Sequence, residues 1–220
     1  MKKKNRSYLY ASLSMLAAFV MWTLAVCFFD VRAIGPDGSM VGFAAINGFF
    51  HSLTGVHMSL YTITDWLGLV PIFVAMGFAL LGLAQLIKRK AFSKVDHSIF
   101  VLGGFYIIVI AIYILFEVIT INYRPVLING FLEKSYPSST TLLVMCVMPT
   151  AIMQLNCRIK NKTLRKTIST LITAFIIFMV TGRLVSGVHW LTDIIGGAFL
   201  STGLVTMYKY LIILIKNKTK

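Results

Sequence analysis

Apolar residues in this chain fall into long runs, not into the alternation of a half-buried strand. Six runs read as membrane spans, at about 8–29, 66–87, 99–119, 140–155, 168–185 and 194–215. Roughly 18 or more apolar residues suffice to cross the hydrocarbon, and a segment there must satisfy its own backbone, which favours the helix. The connection 30–65 is mixed. Gly35-Pro36-Asp37-Gly38 signals a turn, whereas 41–60 is apolar and carries His51 and His57. That stretch is short for a span and reads as an interfacial or re-entrant helix on the outer face. A second polar connection covers 120–139. The pattern predicts an all-α, six-transmembrane-helix bundle, with residues 1–220 as one domain.

Charge orients the bundle. The 21 basic and 7 acidic residues leave a net charge of +14. With both termini in the cytoplasm, seventeen of the 21 basic residues face inward, in clusters such as Lys88-Arg89-Lys90 and 158–166. This is the positive-inside pattern. It argues against nucleic acid as partner, since the basic residues lie in short clusters between apolar spans. Lys2, Lys3, Lys4 and Arg6 precede the first run, which is too long for a signal-peptide core and reads as an uncleaved span. Counting 41–60 as a further span would spoil the balance. The mean hydropathy of +0.84 reflects these runs. Cys27, Cys146 and Cys157 lie in or beside apolar segments without metal-ligand spacing, and read as packing residues.

Only Arg32, Arg124, Lys134 and Arg183 remain on the outer face. Charges that escape the rule and gather at one membrane face are functional candidates. The densest segment is Gly182-Arg183-Leu-Val-Ser-Gly-Val-His189-Trp-Leu-Thr-Asp193. On a helix His189 and Asp193 would share a face. A carboxylate that fixes one ring nitrogen as N–H frees the other as nucleophile or base. The planar guanidinium of Arg183 suits phosphate oxygens. Taken singly, these would be a snorkelling arginine, an interfacial histidine and a helix-start aspartate. Together at one face they point to a site.

That segment resembles the third signature of the type 2 phosphatidic acid phosphatase (PAP2) superfamily, which includes the vanadium haloperoxidases. The signature is Ser-Arg, five residues, His, three residues, Asp. Arg183, His189 and Asp193 match it, and Gly182 stands in place of the Ser. The first signature is Lys, six residues, Arg-Pro. Arg124-Pro125 matches its end, but Glu117 holds the Lys position. The second is Pro-Ser-Gly-His, sometimes with Ser for Gly. Here Pro137-Ser138-Ser139-Thr140 lacks the His. Order, spacing and topology agree over about 117–197, and imply a PAP2/haloperoxidase-like core.

The resemblance implies that His189 attacks phosphorus and becomes a phosphohistidine, with Asp193 orienting it. Arg124, Arg183 and the Ser138–Ser139 segment would hold the phosphoryl oxygens. The histidine missing at Thr140 is the family's general acid, which is worth about 10²–10⁴-fold. A hydroxyl does not replace it. An alkoxide leaving group has a conjugate acid of pKa about 16 and needs that proton. A phosphate leaving group, with a conjugate acid nearer about 6, does not. An active enzyme with this variant is therefore expected to prefer lipid diphosphates. His51 or His57 is a remote substitute, interfacial packing being the simpler reading.

Glu117 would repel phosphate at close range. Three accounts stand open: it pairs with Arg124 or Arg183, it is protonated by burial, or the site no longer binds a highly charged phosphate. Lys134 could restore positive charge, although a solvated loop lysine is the simpler reading.

The function expected is a lipid phosphate or diphosphate phosphatase in the cell membrane, with its site on the extracytoplasmic face. Polyprenyl diphosphates such as undecaprenyl diphosphate, phosphatidate and phosphatidylglycerophosphate all suit it, and no cofactor or metal is implied. The alternative is a catalytically impaired relative that binds lipid headgroups or a partner. The retained pair His189 and Asp193 favours the enzyme. A transporter has little support, because the spans carry almost no ionisable residues at mid-depth.

Overall fold

A computed structural model describes residues 2–218, and the side chains of 5–217. The side chains of Lys2, Lys3, Lys4 and Lys218, which enter the charge asymmetry, lie outside the described residues, as does Lys220 entirely. The described chain is almost wholly helical: α1 (Lys2–Phe28), α2 (Ala44–Thr54), α3 (Met58–Leu67), α4 (Leu69–Arg89), α5 (His97–Val118), α6 (Ser139–Arg158), α7 (Lys162–Val185) and α8 (Leu191–Lys218). Among the described residues, six stretches are long and apolar enough to cross a membrane: Asn5–Phe28, Met58–Arg89, His97–Val118, Ser139–Arg158, Lys162–Val185 and Leu191–Asn217. An even number of crossings returns the chain to the face where it began.

The second crossing departs from the sequence expectation. It starts at Met58 rather than at 66. The stretch 41–60 is therefore not one interfacial or re-entrant helix. It divides between α2 and the first turn of α3. Gly55, at φ +67°, ends α2, and α3 passes into α4 through Gly68 without leaving right-handed helical geometry. The crossing's 32 residues would measure about 48 Å as a straight helix, against a hydrocarbon core of about 30 Å. Its first turns extend beyond the core unless it tilts strongly. Asp65, expected in the connecting segment, lies inside this helix.

Helix α6 is the centre of the bundle. More than half of it is buried inside the protein, against under a third of every other crossing, and it packs on α4, α5, α7 and α8. Helix α1 packs chiefly on α8. At the end of the bundle shared with the termini, Asp96 accepts from Gln85 Nε2 (2.9 Å) and pairs with Arg89 (3.0 Å) and Arg158 (3.6 Å). That cluster fastens α4, the link to α5, and α6.

At the opposite end, short connections hold the start of α8. Asn47 of α2 is buried; its Nδ2 donates to Gly42 O (2.8 Å) and Thr192 Oγ1 (2.9 Å), and its Oδ1 accepts from Thr192 N (3.2 Å). The turn 186–190 between α7 and α8 is equally constrained. Gly187 sits at φ +69°, and a Cβ there would lie 1.9 Å from the Gly55 carbonyl oxygen. Only a glycine meets both the dihedral and the close approach.

Gly187→Ala is therefore expected to destabilise the protein by about 1–3 kcal/mol, lowering its thermal midpoint in detergent and displacing the segment that carries His189. An unchanged midpoint would contradict this packing.

Candidate functional site

Three segments converge at this end of the bundle: the turns of α3 around Tyr61 and Asp65, the loop 119–138, and the turn 186–190. The loop folds back on itself through Arg124 N–H to Glu133 O (2.9 Å) and Ser135 N–H to Asn122 O (3.0 Å). Glu133 is thereby set beside Arg124. Together these segments and α6 enclose a cavity of about 580 Å³, lined by Arg124, Arg183, His189, Ser139 and Thr140 among others.

His189 is almost fully buried at this cavity. Its Nε2 lies 3.2 Å from Arg124 Nη1 and 3.3 Å from Arg183 Nη2. A guanidinium only donates, so Nε2 must be the acceptor and Nδ1 must carry the proton. Nδ1 lies 3.6 Å from Asp193 Oδ2, longer than a hydrogen bond. The Ser135 backbone carbonyl also interacts with the ring. Burial first, and then the charges of Arg124 and Arg183, hold the imidazole well below its usual pKa. The free electron pair on Nε2 points at two guanidinium groups.

Asp193 is itself held. It is fully buried in the first turn of α8. Its Oδ2 accepts the Trp190 N–H (2.9 Å) and its Oδ1 faces Asn122 Nδ2 (3.5 Å). Trp190 Nε1 in turn donates to Tyr123 O (2.7 Å). The loop bearing Arg124 and the turn bearing His189 are thus tied directly to each other.

The two arginines are buried like charges, and their partners are not those the sequence suggested. Arg183 Nη1 pairs with Asp65 Oδ1 (3.4 Å), and Arg124 Nε lies 3.0 Å from Glu133 Oε2. Tyr61 stacks beneath both, its ring 4.9 Å from Arg183 Cζ and 5.8 Å from Arg124 Cζ, a favourable cation–π geometry. Glu117 pairs with neither arginine. It lines the cavity at the end of α5, exposed rather than buried, and is hydrogen-bonded to Tyr113. Lys134 is not a loosely solvated lysine: its Nζ donates to the carbonyls of Glu117 (2.6 Å) and Val118 (2.8 Å), capping α5.

Of the serines, Ser139 lines the cavity as the first residue of α6, where helix N–H groups lack helical partners and favour anions. Ser138 is engaged elsewhere. Its hydroxyl caps α6 by accepting from Thr141, and its N–H donates to Asp193 O (3.2 Å).

A family model of the PAP2 superfamily matches residues 96–215. The chain belongs to the PAP2 superfamily. Its fold is similar to the crystal structure of a transmembrane PAP2-type phosphatidylglycerolphosphate phosphatase from Bacillus subtilis, with 16% identity and a TM-score of 0.62 over 94% of this chain and 98% of that one. No curated protein matches it. Family and fold together support a membrane-embedded lipid phosphatase.

Two departures from the PAP2 signatures now have surroundings. Thr140 lies at the cavity in the first turn of α6. Neither His51 nor His57 is among the residues lining that cavity: the His51 ring packs against Trp190, with centroids 5.5 Å apart, and His57 Nε2 is 2.9 Å from Thr54 O. Gly182 makes room for α3, because a Cβ there would lie 2.8 Å from Thr64 Cγ2. The sequence reading missed Tyr61, Asp65 and Glu133. The last two are acids on the same face as the arginines, which was the only available signal.

The depressed imidazole gives a directional prediction. His189 stays neutral at its ordinary pKa of about 6.5 and protonates only below it, so activity that needs a free Nε2 persists through pH 6.5 and falls as pH drops through the lowered value. Arg124→Ala removes one of the two opposing charges and should move the His189 titration midpoint upward in 15N imidazole spectra. An unmoved midpoint would remove the arginine from this account.

Proposed function

We propose that this protein hydrolyses a lipid phosphate or diphosphate at the outer face of the cell membrane, through a phosphohistidine on His189, with the whole chain as one catalytic domain. The observation that carries this reading is the convergence of Arg124 and Arg183 on His189 Nε2. A phosphoryl group entering the cavity takes over both guanidinium contacts with its oxygens. It then lies against the free electron pair of Nε2. The nitrogen attacks phosphorus, Nδ1 keeps its proton, and Asp193 offsets the charge that develops on the ring. The N-terminal N–H groups of α6, at Ser139 and Thr140, supply further electrostatic stabilisation. The arginines provide the positive charge, so the reading calls for no cofactor.

The outer-face assignment rests on the positive-inside asymmetry. The leaving-group argument favours diphosphates, since Thr140 offers no acid at the position where the family carries histidine. Polyprenyl diphosphates of the undecaprenyl type fit this chemistry best, phosphatidate less well. Phosphatidylglycerophosphate, named for the Bacillus subtilis protein of similar fold, is a monoester and falls on the disfavoured side. One observation supports a headgroup-binding protein without turnover: both arginines already have carboxylate partners, which offset part of the charge they offer a phosphate.

Phosphate release by detergent-purified protein from polyprenyl diphosphate, phosphatidate and phosphatidylglycerophosphate separates these readings. Release fastest from the diphosphate, and abolished in His189→Ala, is expected. Thr140→His should raise monoester turnover relative to diphosphate turnover by about 10-fold or more, within the range of general acid catalysis. Release that survives in His189→Ala would overturn the mechanism. No release from any of the three by folded protein would favour the binding reading.

A further inference from the structure

The phosphohistidine reading leaves its second half without an agent. Once the leaving group has gone, water must attack phosphorus from the side opposite the P–N bond. His189 is buried at the cavity wall, so that side is the open part of the cavity. The attack is eased by a base that takes a proton from the water. Neither Thr140 nor the arginines can accept it.

Asp65 stands where such a base is needed. Arg183 bridges it to the nucleophile: Nη2 contacts His189 Nε2 at 3.3 Å and Nη1 contacts Asp65 Oδ1 at 3.4 Å. Any phosphoryl group held by the terminal nitrogens of Arg183 is therefore next to the Asp65 carboxylate. The arginine side chain is 1% exposed, but that of Asp65 is 57% exposed and lines the cavity, where entering water would meet it. It also lies one helical turn before Gly68, where a Cβ would begin 3.6 Å from Thr140 Cγ2. The carboxylate's helix thus runs directly beside the position at which the second signature lacks its histidine.

The other carboxylates of the cavity are placed differently. Glu133 approaches Arg124 at Nε, the root of the guanidinium, and so orients that side chain from behind. Glu117 pairs with neither arginine, and its backbone is bound to Lys134 at the end of α5. Sharing the cavity lining with Asp65 are Arg183 from α7, Arg124, Glu133 and Lys134 from the loop, Glu117 from α5, and His189.

We propose that Asp65 is the general base that activates water for hydrolysis of the phosphohistidine; this rests on the His189 phosphatase reading above. The water oxygen forms a bond to phosphorus as its proton passes to the Asp65 carboxylate. The P–N bond breaks, and its electron pair returns to Nε2. Inorganic phosphate leaves, and the protonated Asp65 returns its proton to solvent through the open cavity. The division of labour matches the leaving-group argument: a diphosphate departs without an acid in the first step, and a carboxylate serves as base in the second.

The test is rapid-quench labelling of the detergent-purified full chain with farnesyl diphosphate carrying 32P on its terminal phosphate. Asp65→Asn keeps a hydrogen-bonding oxygen for Arg183 but removes the base. Its steady-state turnover should fall by about 10²-fold, while labelled protein accumulates to near stoichiometry, acid-labile and alkali-stable. Glu133→Gln should slow labelling without accumulation. Turnover unchanged in Asp65→Asn, or lowered with no rise in labelled protein, overturns the proposal, the latter leaving Asp65 as a positioning residue for Arg183. A His189→Ala protein that still labels or releases phosphate overturns the phosphohistidine reading itself, which the Asp65 result alone would not.

Discussion

Two buried guanidinium groups directed at one imidazole nitrogen are the constraint around which this end of the bundle is organised. Left alone, Arg124 and Arg183 would repel each other in a medium where charges are poorly screened. Each is met from a different part of the chain: Tyr61 lies beneath both, Asp65 takes one end of Arg183, and Glu133 backs Arg124. Burial, and after it the same positive field, hold the His189 imidazole well below its usual pKa. On the proposed reading, a phosphoryl group satisfies both arginines while presenting phosphorus to the nitrogen.

The scaffold needed for this is tied by buried side chains as well as by backbone. The Arg124 loop, the His189 turn and the start of α6 are cross-linked through Asn122, Asp193 and Ser138. Asn47 of α2 secures the first turn of α8. Gly187 and Gly182 contribute by being small. The first lets the His189 turn touch Gly55, and the second lets Thr64 of α3 settle against α7. Loss of a side chain at Gly182 and arrival of Asp65 at Arg183 are therefore two aspects of one packing arrangement.

Much of this was legible in the chain itself, for definite reasons. Hydrocarbon forces long apolar helices, so six crossings could be counted. His189, Asp193, Arg124 and Arg183 announced themselves by fixed spacing and by charge on the wrong face. Asp65 did not, because an ion pair between residues 118 positions apart has no local spacing to recognise, and Glu133 did not, because its approach to Arg124 depends on how the loop folds back on itself. Asp65 was further hidden by the start of the second crossing. The apolar content of 58–67 is diluted by Tyr61, Thr62, Thr64 and Asp65, so a hydropathy criterion places the span too late. Ser138 was assigned to phosphate by its signature, yet it is occupied as a helix cap. That distinction depends on where α6 begins, and boundaries are the least certain part of a sequence reading.

The central claim is that His189 Nε2 is the atom that takes the phosphoryl group. It is tested most directly by mapping the phosphorylated residue under acid-free conditions. The protein would be quenched within milliseconds of mixing with a polyprenyl diphosphate, digested at alkaline pH and analysed by mass spectrometry with electron-transfer fragmentation. The account predicts phosphate on the peptide containing His189, on that side chain and no other. Phosphate on a different residue, or none while inorganic phosphate is being released, would contradict it.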